Sequence, residues 1–329
     1  MLDLRRWKQG GSNMQLNEKR TIMISGLPQR IHLWGKNTNA PVILFLHGGP
    51  GMPFRHKIRK YLLPLAEEYV LAVIDERGAG GSYSPELTPA DLTLENYVND
   101  IREWTEYLKK RFNHKKIYLV GFSFGSLIGS VAAFRDPSSY AAYLGVGQFV
   151  DIDELILERY RLLCQKAREI GDESLERRLE EMGEPVGGEF KTEEDNKYFG
   201  DHYYQAMEPA HYPSFNKREI APVKRSLEYT FLEKRNFEKG LALSSQAKGM
   251  SFGVRSVLPL GFACKIPHYI IQGVDDISTP YRLAEEYSKQ IHAPKKAFLA
   301  YTNSGHEALF EEPERFMIDV RNKFNENVD

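Results

Sequence analysis

Short, unbroken apolar runs recur along the chain, and polar or glycine-rich sequence follows each of them. Val42 to Leu46 precedes His47-Gly48-Gly49-Pro50-Gly51, Val70 to Ile74 precedes Asp75-Glu76-Arg77-Gly78, and Ile117 to Val120 precedes Gly121-Phe122-Ser123-Phe124-Gly125. Tyr269 to Gln272 and Ala297 to Tyr301 repeat the pattern near the other end. Runs of this length with no polar alternation predict strands buried on both faces. Between them, Phe54, Ile58, Leu62 and Leu65 share one helical face, and Leu94, Val98, Ile101, Trp104 and Leu108 share another. Strands alternating with amphipathic helices predict an α/β fold with a mostly parallel, doubly wound sheet. Ligands of such sheets bind beyond the carboxyl ends of the strands, where the glycine-rich loops fall. Thr21 to Trp34 differs: apolar and polar residues alternate around Gly26-Leu27-Pro28, which predicts an edge hairpin.

The pattern changes after Gln148. Asp151 to Ile170 and Asp172 to Met182 read as two helices, the first stopped by Gly171, the second capped by Asp172 and ended by Gly183. A polar stretch without strand alternation runs on to Gly261. The expected division is therefore 1–150 as the first part of a sheet domain, 151–261 as an inserted helical cap, and 262–329 as the second part of the sheet domain. Phe190, Tyr198, Phe199, Tyr203, Tyr204, Tyr212, Phe215, Tyr229 and Phe231 crowd the cap and are expected to form its own core, with some facing the site. The cluster Arg55, His56, Lys57, Arg59 and Lys60 is expected on the solvated face of a helix, and the acidic set Glu189, Glu193, Glu194, Asp195 and Asp201 as a solvated run.

Composition narrows the function classes. With 329 residues, 42% of them hydrophobic, the chain can bury a large core, while a formal net charge of −1 provides no field to gather nucleic acid or an anionic membrane. Cys164 and Cys264 belong to no CxxC or metal-ligand spacing, so no metal or other cofactor is expected. No apolar stretch approaches the roughly 20 residues that span a bilayer, and Met1 to Arg20 lacks the apolar core of a secretory signal. The expectation is a cytoplasmic protein.

Gly121 to Gly125 carries the chemistry. A serine hydroxyl is a weak nucleophile at neutral pH, so it must be presented on a sharp strand-to-helix turn to a neighbouring base, and flanking glycines let strand and helix approach. That makes Ser123 the candidate nucleophile. Its partners in this arrangement follow as acid and then histidine, and the resumed strands supply both: Asp275 or Asp276 in one loop, His306 in the next. Acyl transfer also requires backbone amides aimed at the developing oxyanion. Phe124, just after the serine, and Gly49 in the HGGPG loop are the candidates, with His47 organising that loop.

These motifs together resemble the prolyl aminopeptidase (proline iminopeptidase) group of α/β-hydrolases. HGGPG at 47–51, the Asp75 to Ser82 segment in place of that group's DxRGxGxS, GxSxG at 121–125, GxxDxxTP at 273–280 and SGH at 304–306 match it in both halves of the sheet domain. The resemblance implies the α/β-hydrolase fold and a triad of Ser123, Asp276 and His306, the step from Asp276 to Pro280 favouring Asp276 over Asp275. Departures stand beside it: Phe122 and Phe124 occupy the variable elbow positions, and the group's Trp-rich cap segment ending in glutamate has no match. The nearest fragment contains Glu228, which becomes the candidate for holding a substrate amine. The implied activity is a serine hydrolase releasing N-terminal residues from short peptides. Carboxylesterase, lactonase or amidase action on a small apolar acyl substrate is the alternative, and a non-catalytic small-molecule receptor lies further off.

Overall fold

The computed structural model describes residues 14–208, 216–247 and 256–326; Met1 to Asn13 and the cap aromatics Tyr212 and Phe215 lie outside them. A single sheet organises the described residues, with strands β1 (Leu16–Ile24), β2 (Leu27–Gly35), β3 (Val42–Leu46), β4 (Val70–Ile74), β5 (Ile117–Phe122), β6 (Tyr140–Val146), β7 (His268–Gly273) and β8 (Lys296–Tyr301). Their order is β1-β2-β4-β3-β5-β6-β7-β8. β1 and β2 pair antiparallel, β2 joins β4 antiparallel, and every pairing from β4 to β8 is parallel. The edge hairpin turns on Ser25 and Gly26, both at positive φ (47° and 77°), as a two-residue turn matched to the twist of its strands requires.

Alternation within the buried strands sorts side chains onto two helical layers. Leu44, Leu46 and Leu119 pack against α1 (Leu94–Phe112) and α2 (Phe124–Arg135). Ile43, Phe45 and Val120 face the other way, toward Ile58 and Leu65 of an irregular helix over 55–67 and Phe316 and Val320 of the C-terminal helix. α1 starts where the Thr93 hydroxyl accepts the Asn96 amide and stops at Asn113 in the left-handed conformation.

Between β6 and β7 the chain leaves the sheet for α3 (Ile152–Ile170), α4 (Glu173–Met182), α5 (Glu193–Met207) and α6 (Phe231–Ala247). Asp151 caps α3, Gly171 ends it at φ 68°, and Asp172 caps α4, as the sequence predicts. Tyr160, Leu163, Leu179, Phe190, Phe199 and Tyr203 give α3 to α5 a separate apolar core. Tyr229 packs instead with Val223 and Phe237, while Tyr204 and Phe231 are exposed. Of the acidic set, Asp195 is buried and accepts from Arg178 and Thr192, whereas Glu189, Glu193, Glu194 and Asp201 are solvated. α7 (Tyr281–Gln290) and α8 (Pro313–Asn325) complete the chain.

Besides Asp195, a second expectation is overturned. The cluster at 55–60 is not a solvated face: Arg55 is completely buried and Lys57 nearly so, while Arg59 and Lys60 remain exposed. Buried or partly buried carboxylates draw the first two inward. Asp75 and Glu233 engage Arg55, and Glu219 and Glu307 engage Lys57. A charge is tolerated inside only when it is paired and hydrogen-bonded, and the periodicity of one helix cannot show partners supplied from distant segments.

Candidate active site

The elbow forms where β5 passes into α2. Ser123 sits at φ 53° and ψ −120°, a strained conformation for a residue with a side chain. Its amide donates to the Val146 carbonyl at 2.9 Å, and its carbonyl accepts the Ser126 amide at 2.8 Å, so backbone bonds offset the strain. The flanking glycines are required by space. A Cβ on Gly121 would stand 2.4 Å from the Gly125 carbonyl oxygen, and one on Gly125 would stand 2.5 Å from that of Leu46.

His306 reaches this hydroxyl from the loop after β8. Its Nε2 lies 3.0 Å from Ser123 Oγ, and its Nδ1 lies 2.9 and 3.1 Å from the two carboxylate oxygens of Asp276. With the Nδ1 proton donated to the carboxylate, Nε2 is left to accept the serine proton. Asp276 is fully buried and held from several sides: the Ser278 and Thr279 amides, the Thr279 hydroxyl and Gln272 Nε2 all donate to it at 2.8 Å. Asp275, the sequence's other acid, points to solvent.

Electrostatics follow the geometry. Burial would raise the Asp276 pKa, but the attraction of His306 and these hydrogen bonds outweigh it and hold it below the usual carboxylate value. For His306 burial works against the imidazolium, yet Asp276 prevails and the pKa rises above 6.5. The pair thus favours a histidine ready to take a proton.

The HGGPG loop lies against the elbow. The buried His47 ring spans it, Nδ1 donating to the Gly48 carbonyl at 2.9 Å and Nε2 accepting the Glu76 amide at 3.0 Å, and burial pushes its pKa down to about 4. His47 is thereby fixed as a neutral organiser of the loop. A Cβ on Gly48 would come 3.0 Å from Ser123 Cβ, and Gly49 holds φ at 116°, so the backbone of this loop approaches Ser123 closely.

Glu228 is placed elsewhere. Its buried carboxylate sits 3.0 Å from His32 Nδ1 and 3.4 Å from Lys19 Nζ and also binds Arg59. Although burial opposes ionisation, hydrogen bonds from His32 and Arg59 hold its pKa down at about 2. Three basic side chains already share this carboxylate, and among the described residues it forms no ion pair with His306 and no hydrogen bond to Ser123.

Gln272 and Arg159, which contact the Asp276 loop, were not singled out in the sequence. Gln272 orients Asp276 through Nε2 and accepts the Gln148 amide through Oε1 at 2.9 Å. Its position at the end of the β7 run was the available signal. Arg159 of α3 donates to the Ser278 carbonyl, and Tyr203 of α5 donates to that of Ile277 at 2.8 Å. The helices between β6 and β7 are thus docked on the loop that carries Asp276. Among the described residues, no group of three or more His, Cys, Asp or Glu is placed to hold a metal ion, and no helix is long and apolar enough to cross a membrane.

A family model of the alpha/beta hydrolase fold matches residues 41–313. The chain belongs to that family. This α/β-hydrolase is 25% identical over 301 residues to the probable aminopeptidase YbaC of Bacillus subtilis, a match covering 90% of this chain and 92% of the relative. It is 24% identical over 325 residues to the proline iminopeptidase of Saccharolobus solfataricus, covering 96% and 94%. Among solved structures, the proline iminopeptidase of Mycobacterium smegmatis superposes with a TM-score of 0.65 at 17% identity, covering 94% of this hydrolase and 98% of its own chain. The protein is accordingly a hydrolase enzyme of this fold.

Proposed function

We propose that this hydrolase works through a serine acyl-enzyme, with Ser123 as nucleophile, His306 as general base and then acid, and Asp276 as the carboxylate that orients the imidazole. The observation that carries the reading is the unbroken line from Ser123 Oγ to His306 Nε2 at 3.0 Å and from Nδ1 to Asp276 at 2.9 Å. His306 takes the hydroxyl proton as Oγ attacks a carbonyl carbon. The Gly49 and Phe124 amides receive the oxyanion, and each such donor contributes about 3 kcal/mol in the transition state. The intermediate then collapses, His306 protonates the leaving group, and water, deprotonated by the same imidazole, releases the acid and frees Ser123.

The substrates we assign are short peptides that lose their N-terminal residue, and the site of action the cytoplasm. The names of the two relatives, an aminopeptidase and a proline iminopeptidase that align over nine-tenths or more of the chain, support the peptidase reading. The helices of 151–261 would form a cap over the acyl site, since α3 and α5 are anchored on the Asp276 loop. One observation favours a second reading, hydrolysis of an ester, lactone or simple amide: Glu228, the sequence's candidate for the substrate amine, is committed to His32, Arg59 and Lys19. A panel of aminoacyl-naphthylamides set against short acyl esters separates the two. Release of naphthylamine from N-terminal residues is expected; ester cleavage with no aminoacyl-amide turnover would replace the peptidase reading with the second.

A further inference from the structure

Beside His306 lies an ionic cluster that the acyl-enzyme steps leave unused. The Lys57 ammonium donates to both oxygens of Glu219, at 3.0 and 2.9 Å, and to Glu307 Oε1 at 2.5 Å. Lys57 is 9% exposed and Glu219 7%, while the Glu307 side chain is 26% exposed, so the lysine and Glu219 are interior and Glu307 stands at the rim of the cluster. Its members come from three segments: Lys57 from the irregular helix after β3, Glu219 from the insertion between β6 and β7, and Glu307 from the loop of the imidazole itself. Aromatic packing continues the connection. The ammonium lies 5.6 Å from the Phe310 ring centre, Phe310 packs at 6.3 Å on Phe122, and Phe122 at 5.0 Å on His306.

Burying an ammonium is costly unless several acceptors surround it, and here two carboxylates from different segments share one lysine next to the histidine. Such a cluster does more than hold two surfaces together. Resting on the serine-hydrolase reading above, we infer that Lys57 is a positioning residue for His306: shared between Glu219 of the insertion and Glu307 of the histidine loop, its ammonium fixes that loop where Nε2 meets Ser123 and balances the charge beside the imidazole. Docking of the insertion is thereby coupled to the readiness of the base.

Other charges facing His306 are Asp276 from the loop after β7, Glu307 and Glu311 from its own segment, and Arg159 from α3. The cluster therefore acts as a signed contribution on a fixed background. Removing the Lys57 charge leaves Glu307 unbalanced, favours the imidazolium and moves the His306 titration to higher pH. Removing the Glu219 charge frees the ammonium and moves it to lower pH. A purely structural lysine would give no such opposed signs.

The test uses the full chain as wild type, Lys57→Met, Lys57→Arg and Glu219→Gln. The His306 ring is titrated by NMR with ring-labelled histidine, its resonance assigned with His306→Asn, and acylation of Ser123 by a fluorophosphonate is followed against pH. Expected are a rise of about 0.5–1 pH unit in the His306 midpoint for Lys57→Met, a fall of similar size for Glu219→Gln, and a wild-type midpoint for Lys57→Arg. The acylation rate of Lys57→Met at its pH optimum is expected to fall about tenfold, with recovery in Lys57→Arg. Unmoved midpoints, or shifts of the same sign in Lys57→Met and Glu219→Gln, would overturn the inference. Should Lys57→Met fail to fold, the Glu219→Gln shift alone decides, a fall supporting the inference and no fall refuting it. A wild type that is never acylated would refute the serine-hydrolase reading, while the NMR midpoints still judge Lys57.

Discussion

The Arg55 guanidinium grips the Asp75 carboxylate through two hydrogen bonds of 2.8 Å, Nε to one oxygen and Nη2 to the other, with both side chains wholly excluded from solvent. Nη2 also lies 3.2 Å from Glu233 of α6, so the pair joins the loop after β4 to a helix of the insertion. Breaking such a pair strands a buried carboxylate. Arg55→Met is expected to destabilise the protein by about 3–5 kcal/mol, read as a lowered urea midpoint. A loss within about 0.5 kcal/mol, the range of ordinary surface changes, would mean that the pair contributes nothing to holding the insertion.

Gly125 and Gly200 make a matched comparison. A methyl on Gly125 would meet two backbone carbonyl oxygens, those of Leu46 and His47, at 2.5 and 2.6 Å, whereas one on Gly200 in α5 meets nothing within 4 Å. Gly125→Ala should therefore displace β3 from the elbow, costing about 1–3 kcal/mol or more and most of the activity. Gly200→Ala should stabilise by up to about 1 kcal/mol with unchanged turnover. Thermal melts and rates of both variants check the pair.

The raised pKa of His306 has a signed consequence for catalysis. In the proposed mechanism His306 must be neutral to accept the Ser123 proton, so kcat/KM is expected to fall on the acid side with a midpoint above 6.5. Asp276→Asn removes the charge that sustains this shift and should move the limb down while cutting kcat by about 10⁴-fold. A pH–rate profile of both proteins is the measurement, and an acid limb below pH 6 in the wild type would contradict the assignment.

Three buried histidines besides His306 shape the acid stability. Burial pushes His32 and His47 down to about 4 and His268 to about 3. The unfolded chain protonates each near 6.5 while the folded state does not, so the unfolded state binds more protons and stability falls as pH drops below 6.5. Each contributes a slope of about 1.4 kcal/mol per pH unit until its folded pKa is reached. Among the described residues neither ring nitrogen of His268 has a hydrogen-bond partner, and aromatic rings of Phe134, Tyr143 and Tyr287 surround it, so His268→Phe should fold and flatten the slope. Urea midpoints at pH 7.5, 6 and 5 read it; equal midpoints across that range would refute it.

Much of this architecture could be read from side-chain pattern alone, because an unbroken apolar run such as Val42 to Leu46 has few places to go except the middle of a sheet. β6 was not seen: Tyr140 to Val146 carries two alanines and a glycine, and its burial is decided by β5 and β7 on either side, which no local window contains. That Ser123, Asp276 and His306 come together was legible because their three loops each follow a recognisable strand and carry a glycine-rich or proline-marked signature. The ion pairs were not. Lys57 meets Glu219 and Glu307 across separations of 162 and 250 residues, and nothing in the neighbourhood of any one of them announces the others. Glu228 illustrates the same limit, since only the folded chain shows which cations its carboxylate meets.

Everything chemical depends on Ser123 being an activated nucleophile, and mass-spectrometric mapping of a fluorophosphonate adduct on the folded wild-type protein tests that most directly. One adduct per chain on Ser123 is expected, absent in Ser123→Ala and slowed at least about 10³-fold in His306→Asn. Intact folded protein that takes up no label, or label on another residue with Ser123 untouched, would contradict it.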